Sequence, residues 1–114
     1  MSIIIVNKFL INVLTFGFAR AITLYPFILL KYKEDRNNRF LINHEEIHIK
    51  QQAELWVIGF YILYLLYYRK GKKAGLSHTA AYNNIPFEKE ASENEYKLSY
   101  PRLRTRNAWR KYKQ

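Results

Sequence analysis

Apolar side chains recur at helical intervals over residues 2–18, at Ile4, Phe9, Val13 and Phe16. They predict a first helix that stops at Gly17. Residues 21–33 are instead rich in β-branched and aromatic side chains, and Pro26 marks an edge strand or a break. A charged turn over 34–38 and a short strand over 39–42 complete an expected hairpin. From Asn43 the pattern is helical again. Asn43 suits an N-cap, and Glu45 and Glu46 suit a first turn, where carboxylates favour the helix dipole. With no proline before residue 68, this helix is expected to run that far. Its second half, residues 55–68, carries no charge. A helix apolar all round belongs in protein or in lipid, and this one is too short for a typical bilayer span. A core helix is the expectation, with membrane contact as the alternative. Residues 71–85 read as a polar connection with a short helix near residues 80–82. Pro86 then opens a helix over 87–98 and Pro101 closes that region. A basic amphipathic stretch around Trp109 is expected on the surface.

Composition narrows this picture. At 114 residues with 49% hydrophobic and 17% aromatic side chains, the chain is expected to fold as one domain, 1–114, and not to be disordered. There is no cysteine, so disulfides, thiolate metal sites and cysteine nucleophiles are excluded. The net charge of +10 gathers in Arg69-Lys70-Gly71-Lys72-Lys73 and in a tail holding Arg102, Arg104, Arg106, Arg110, Lys111 and Lys113. Such clusters suit a solvated surface or an anionic membrane, with nucleic acid the less favoured partner. The N-terminus is a poor signal peptide, since its first basic residue is Lys8 and no small-x-small site follows. Residues 9–30 are long enough to span a bilayer, but Asn12, Arg20 and Pro26 interrupt them. The expected location is the cytoplasm, with membrane association as a further option.

The candidate chemistry lies in His44-Glu45-Glu46-Ile47-His48, an H-E-x-x-H pattern that uses two of the chain's three histidines. Positions four apart share one helix face about one turn apart. Both imidazoles can then reach one zinc ion, with Glu45 in reach of its water as general base. A catalytic zinc needs a third protein ligand. The continuation H-E-x-x-H-x-x-G-x-x-H is excluded, because Gln51 and Glu54 stand at its glycine and histidine positions. Glu54 is turned away from the histidine face and reads as a supporting or structural residue. The 87–98 helix offers Glu88, Glu90, Glu93 and Glu95. Phe87, Ala91, Asn94 and Leu98 share the face expected to meet the core. Glu93 lies farthest from it, and periodicity does not choose among the other three.

An H-E-x-x-H helix followed by a helix carrying E-x-x-A or E-x-x-S resembles the gluzincin clan of metallopeptidases. The matching run here is Glu88-Lys89-Glu90-Ala91. The resemblance implies that Glu88 is the third zinc ligand, with Glu90 its rival. Three runs are also similar to a family of small bacterial zincin-like proteins, over most of the chain. They are Asn43-His44-Glu45-Glu46-Ile47-His48, Gln51-Gln52-Ala53-Glu54-Leu55, and residues 81–91, with residues 21–27 upstream. The chain departs from the clan at Ser92, where many gluzincins carry an aspartate that orients a histidine. That role must then fall elsewhere, with Asn94 and Glu54 as candidates.

The expectation is therefore a small α+β zincin-like domain, mostly helical, with a hairpin beside the active-site helix. It would hold Zn2+ and hydrolyse a peptide or protein substrate laid along the hairpin edge. Tyr82 is the candidate donor to the developing oxyanion, and His78, read as a surface histidine, the lesser one. The Tyr61, Tyr64, Tyr67 and Tyr68 stripe reads as core or interface packing. The competing expectation is a non-enzymatic protein with a membrane-associated or basic binding surface and a structural or vestigial metal site.

Overall fold

A β-branched run, Ile3-Ile4-Ile5-Val6, opens the chain as a strand and not as helix. The computed structural model describes residues 2–113, which form an α+β fold of six α-helices and one three-stranded sheet. Strand β1 (Ile3–Val6) pairs parallel with β3 (Phe27–Leu30), and β3 pairs antiparallel with β2 (Ala21–Leu24). The sheet order is β1-β3-β2, so β2 is an edge. Helix α1 (Lys8–Thr15) lies between the first two strands. Its N-cap Asn7 accepts from the Leu10 amide, which is why the helix begins after the strand run. It ends at Phe16 in the left-handed region, followed by Gly17 at φ +77°, as the glycine suggested.

The hairpin is present but earlier than expected. Its two strands lie on either side of a Tyr25-Pro26 turn with a cis peptide bond. Residues 39–42, expected as the return strand, instead begin α2 (Arg39–Glu54). The N-cap is Asn38, whose side chain accepts from the Leu41 amide, and not Asn43. Asn43 is buried one turn in, and its amide donates to the backbone carbonyls of Glu95 at 2.8 Å and Lys97 at 3.0 Å. The H-E-x-x-H residues therefore occupy the middle of a helix, where their backbone is fully held.

The chain does not continue as one helix to residue 68. Trp56 and Val57 both take φ +59°, and a second helix, α3 (Ile58–Lys73), starts there. No local breaker predicts this turn. Tertiary packing imposes it, because α3 must fold back to seat Phe60 on Phe87, with ring centroids 4.6 Å apart. Helix α3 also runs past the expected boundary, so Arg69, Lys70, Lys72 and Lys73 stand on a helix rather than in a loop. Two short helices follow, α4 (His78–Asn83) and α5 (Pro86–Asn94), the latter opened by Pro86 as expected. Pro101 starts α6 (Tyr100–Leu103) instead of closing a region. The tail is not an amphipathic surface helix, since Trp109 is buried against Phe87 at 4.8 Å.

Helix α2 separates two apolar clusters. On one side Ile28 and Leu30 of the sheet meet Ile49. On the other, Phe60, Ile85, Phe87 and Trp109 join α3, α5 and the tail. A buried ion cluster locks this second side. Arg104 donates to both Glu90 oxygens at 2.7 and 3.0 Å, and to Glu54 Oε2 at 2.7 Å. Burial alone would push the Glu90 carboxyl up, but bonds from Arg104, Gln51 and Tyr100 hold it below the usual carboxylate range. Removing one partner of such a set strands a buried charge. Arg104→Met is expected to destabilise the fold by about 3–5 kcal/mol in urea unfolding. A loss within experimental error would show the cluster to be solvated.

Candidate metal centre

Mid-helix placement puts His44 and His48 on one face of α2, with ring centroids 4.9 Å apart. Helix α5 crosses that face and inserts Glu88. Its Oε1 lies 3.2 Å from His44 Nε2 and 3.3 Å from His48 Nε2. Glu88 and His48 are buried, while His44 keeps partial exposure.

The far nitrogen of each ring is already committed. His44 Nδ1 meets Glu95 Oε1 at 2.8 Å, and His48 Nδ1 meets Gln51 Oε1 at 2.7 Å. Gln51 uses its amide nitrogen to donate to the Phe87 carbonyl and to Glu90 Oε1. Its oxygen therefore faces the imidazole, and an acceptor there requires His48 Nδ1 to carry the hydrogen. Both Nε2 atoms are left pointing at a carboxylate oxygen. Three lone-pair donors facing one point need positive charge among them, either protons or a cation. That is the donor chemistry of a zinc site, and the residues fit one.

Without a metal, protons fill the role. Burial disfavours imidazolium at both histidines, but the Glu88 carboxylate outweighs it, raising His44 and taking His48 up to about 9. Burial likewise works against the Glu88 charge, yet the two imidazoles hold this carboxyl well below its usual range.

Two neighbours complete the cluster. Tyr64 donates to Glu88 Oε2 at 2.7 Å, and the Tyr82 hydroxyl interacts with both of them. Burial pushes both phenols upward, so each remains a donor at neutral pH. Glu45 points toward the sheet, where Thr23 Oγ1 on β2 donates to its Oε1 at 2.7 Å. His44, Glu45 and His48 also offer ligand atoms within 4.8 Å of one another. One Glu88 oxygen touches both rings, while Glu45 Oε1 is engaged by Thr23.

A largely apolar cavity of about 500 Å³ opens beside His48 and Glu88, between α1 and α3. A more polar one lies on the His44 side with Arg20 and Glu95. Glu45 and Tyr82 line both, so the cleft passes across the cluster.

Several expected placements change. Glu90 is held by Arg104, Tyr100 and Gln51 and faces away from the histidine Nε2 atoms. Glu54 bonds Arg104, and Asn94 donates to the Glu90 carbonyl and Tyr112; neither contacts a histidine ring. The orienting partners are Glu95 and Gln51 instead. Gln51 was legible in principle, three residues past His48 and on its side of the helix. His78 is exposed, as expected, but it starts α4 instead of lying in a loop, meets Tyr68 Oη at 2.8 Å and lines the more apolar cavity. The tyrosine stripe is more than packing, since Tyr61, Tyr64 and Tyr68 each spend a hydroxyl on the cleft. Thr23 gave no signal, because only the tertiary fold brings β2 to Glu45.

Among the described residues no helix is long and apolar enough to cross a membrane; residues 9–30 divide into α1 and the hairpin. No protein family, curated protein or solved structure matches the chain.

The raised His48 pKa carries a sign for the metal-free protein. Its pairing with Glu88 contributes fully below the unfolded value near 6.5 and is lost as pH rises through about 9. Metal-free protein should therefore lose on the order of 2–3 kcal/mol of unfolding free energy across that interval, seen in urea titrations. His48→Gln should flatten the dependence, and an unchanged slope in that variant would contradict the assignment.

Proposed function

We propose that this chain is a zinc-dependent peptidase in which His44, His48 and Glu88 hold the metal and Glu45 is the general base. The observation that carries the reading is the convergence of two Nε2 atoms and one buried carboxylate oxygen, with both Nδ1 atoms committed elsewhere. When bound, zinc supplies a Lewis acid that makes a water nucleophilic at neutral pH and polarises a carbonyl.

The chain's own groups do the rest. Thr23 holds Glu45 Oε1, which fixes the carboxylate on the sheet side of the cleft. From there Glu45 takes a proton from the attacking water and returns it to the leaving amine. Tyr82 lines the cleft as a neutral donor and is the candidate to bond the oxygen that gains charge. Glu95 and Gln51 keep the two rings in one tautomer and orientation.

The substrate would lie along β2. The Lys31 amide bonds the Arg20 carbonyl, so the antiparallel register turns Arg20, Ile22 and Leu24 inward. Ala21 and Thr23 then face outward beside Glu45. Farther along, the Thr23 carbonyl already accepts from Gln52 and Tyr61, and the Tyr25 amide donates to Gln52. Only a short stretch of edge remains for strand addition, which favours an extended peptide engaged by few backbone bonds.

Purified protein is expected to hold one equivalent of zinc by metal analysis, lost in His44→Ala. Glu45→Gln should keep the metal and lower peptide hydrolysis by about a hundred- to ten-thousand-fold. Cleavage of a peptide library that stops with a chelator would support the reading, and metal-free folded protein would sink it. Gln51→Leu should weaken zinc affinity by about ten- to a hundred-fold by competition with a chromophoric chelator. Unchanged affinity would remove Gln51 from the site.

A further inference from the structure

Helix α3 has two apolar sides. At about 100° per residue, Phe60, Tyr64, Tyr67 and Gly71 face the core. Ile58, Ile62, Leu65 and Leu66 lie opposite and are exposed. The exposed stripe runs on into Arg69, Lys72 and Lys73. Helix α1 is similar: Ile11 is its one buried residue, while Phe9, Val13 and Leu14 are exposed. The two faces meet at the more apolar cavity, whose rim includes Leu14 and Phe18 from one side and Leu65 from the other.

Two aromatic residues make this surface harder to dismiss as stray exposure. Phe16 is 97% exposed and Trp56 88% exposed, at the end of α1 and just before α3. Both sit in the left-handed region, at φ +54° and +59°, which bulky side chains rarely adopt. The chain thus tolerates backbone strain to hold two large aromatics in water, an arrangement that calls for a partner.

We infer that the exposed apolar faces of α1 and α3 dock into the headgroup region of an anionic lipid bilayer, with the cavity mouth turned toward the lipid. Charge complementarity favours this occupant. Arg69, Lys70, Lys72 and Lys73 follow the α3 stripe, and Lys8 and Lys31 stand within 6 Å of the Tyr32 ring at the base of α1, where Arg20 is already paired with Asp35. Apolar and aromatic side chains bordered by basic ones are what an interfacial surface needs. A second copy of this chain would set those same cations against each other. The docking stands without the peptidase reading. Its consequence rests on that reading: the substrate would be a peptide segment lying at the bilayer surface.

Flotation of the full chain with vesicles of equimolar phosphatidylcholine and phosphatidylglycerol tests the inference. Binding is expected to exceed that to phosphatidylcholine alone and to survive in part at high salt, since insertion is not screened. The combined variant Phe16→Asn, Trp56→Asn should bind about tenfold more weakly or less. Asparagine suits the left-handed backbone at both positions, and circular dichroism checks that the variant is folded. Glu45→Gln should float like the wild type, so a failed peptidase reading leaves this result intact. Three outcomes would overturn the inference: no flotation, binding fully released by salt and equal in the double variant, or a lipid-free dimer by sedimentation that the double variant dissolves.

Discussion

Glu88 sits buried between two imidazoles whose other nitrogens are already donating. A carboxylate and two imine lone pairs cannot share one small volume without positive charge between them. Much of the surrounding structure serves to keep them there. Asn43 ties α2 to the last carbonyls after α5, so the two helices cannot slide apart at the His44 end. Gln51, bonded to the Phe87 carbonyl and to Glu90, fixes the crossing at the His48 end. Glu90 is in turn neutralised by Arg104. The charge on α5 that does not reach the histidines thus acts one step behind them.

The break between α2 and α3 belongs to the same design. A straight helix would carry Phe60, Tyr61 and Tyr64 away from α5 and the sheet. Folding back at Trp56 and Val57 brings Tyr64 to Glu88 and Tyr61 to the β2 carbonyl of Thr23. The hydroxyls that close the cleft thereby come from the helix whose opposite face remains exposed. One helix serves the core, the cleft and the outer surface.

Much of the candidate centre was legible in the residues themselves. A helical spacing of four sets His44 and His48 together whatever the tertiary fold, and the resemblance pointed to Glu88 rather than Glu90. Pro86 marked the start of α5 and Gly17 the end of α1 for local steric reasons. Most of the misreadings come from contacts made only in the folded chain. Residues 3–6 have apolar side chains that fit either period, and only pairing with β3 decides for strand. Residues 39–42 look like a strand until Asn38 caps them into α2. Asn43 has the chemistry of a cap and uses it on another helix's carbonyls. The partner of His44, Glu95, depends on how α5 meets α2, which no local pattern encodes, whereas Gln51 lies three residues past His48 on the same helix.

The central claim is the ligand set, and X-ray absorption at the zinc edge of the metal-loaded protein reads it most directly. The account predicts a four-coordinate shell at about 2.0–2.1 Å made of nitrogen and oxygen. It should show the outer-shell scattering of two imidazoles, and Glu88→Ala should alter the spectrum where Glu90→Gln, which keeps an acceptor for Arg104, leaves the coordination unchanged. A six-coordinate shell of water oxygens, or a spectrum insensitive to Glu88, would contradict it.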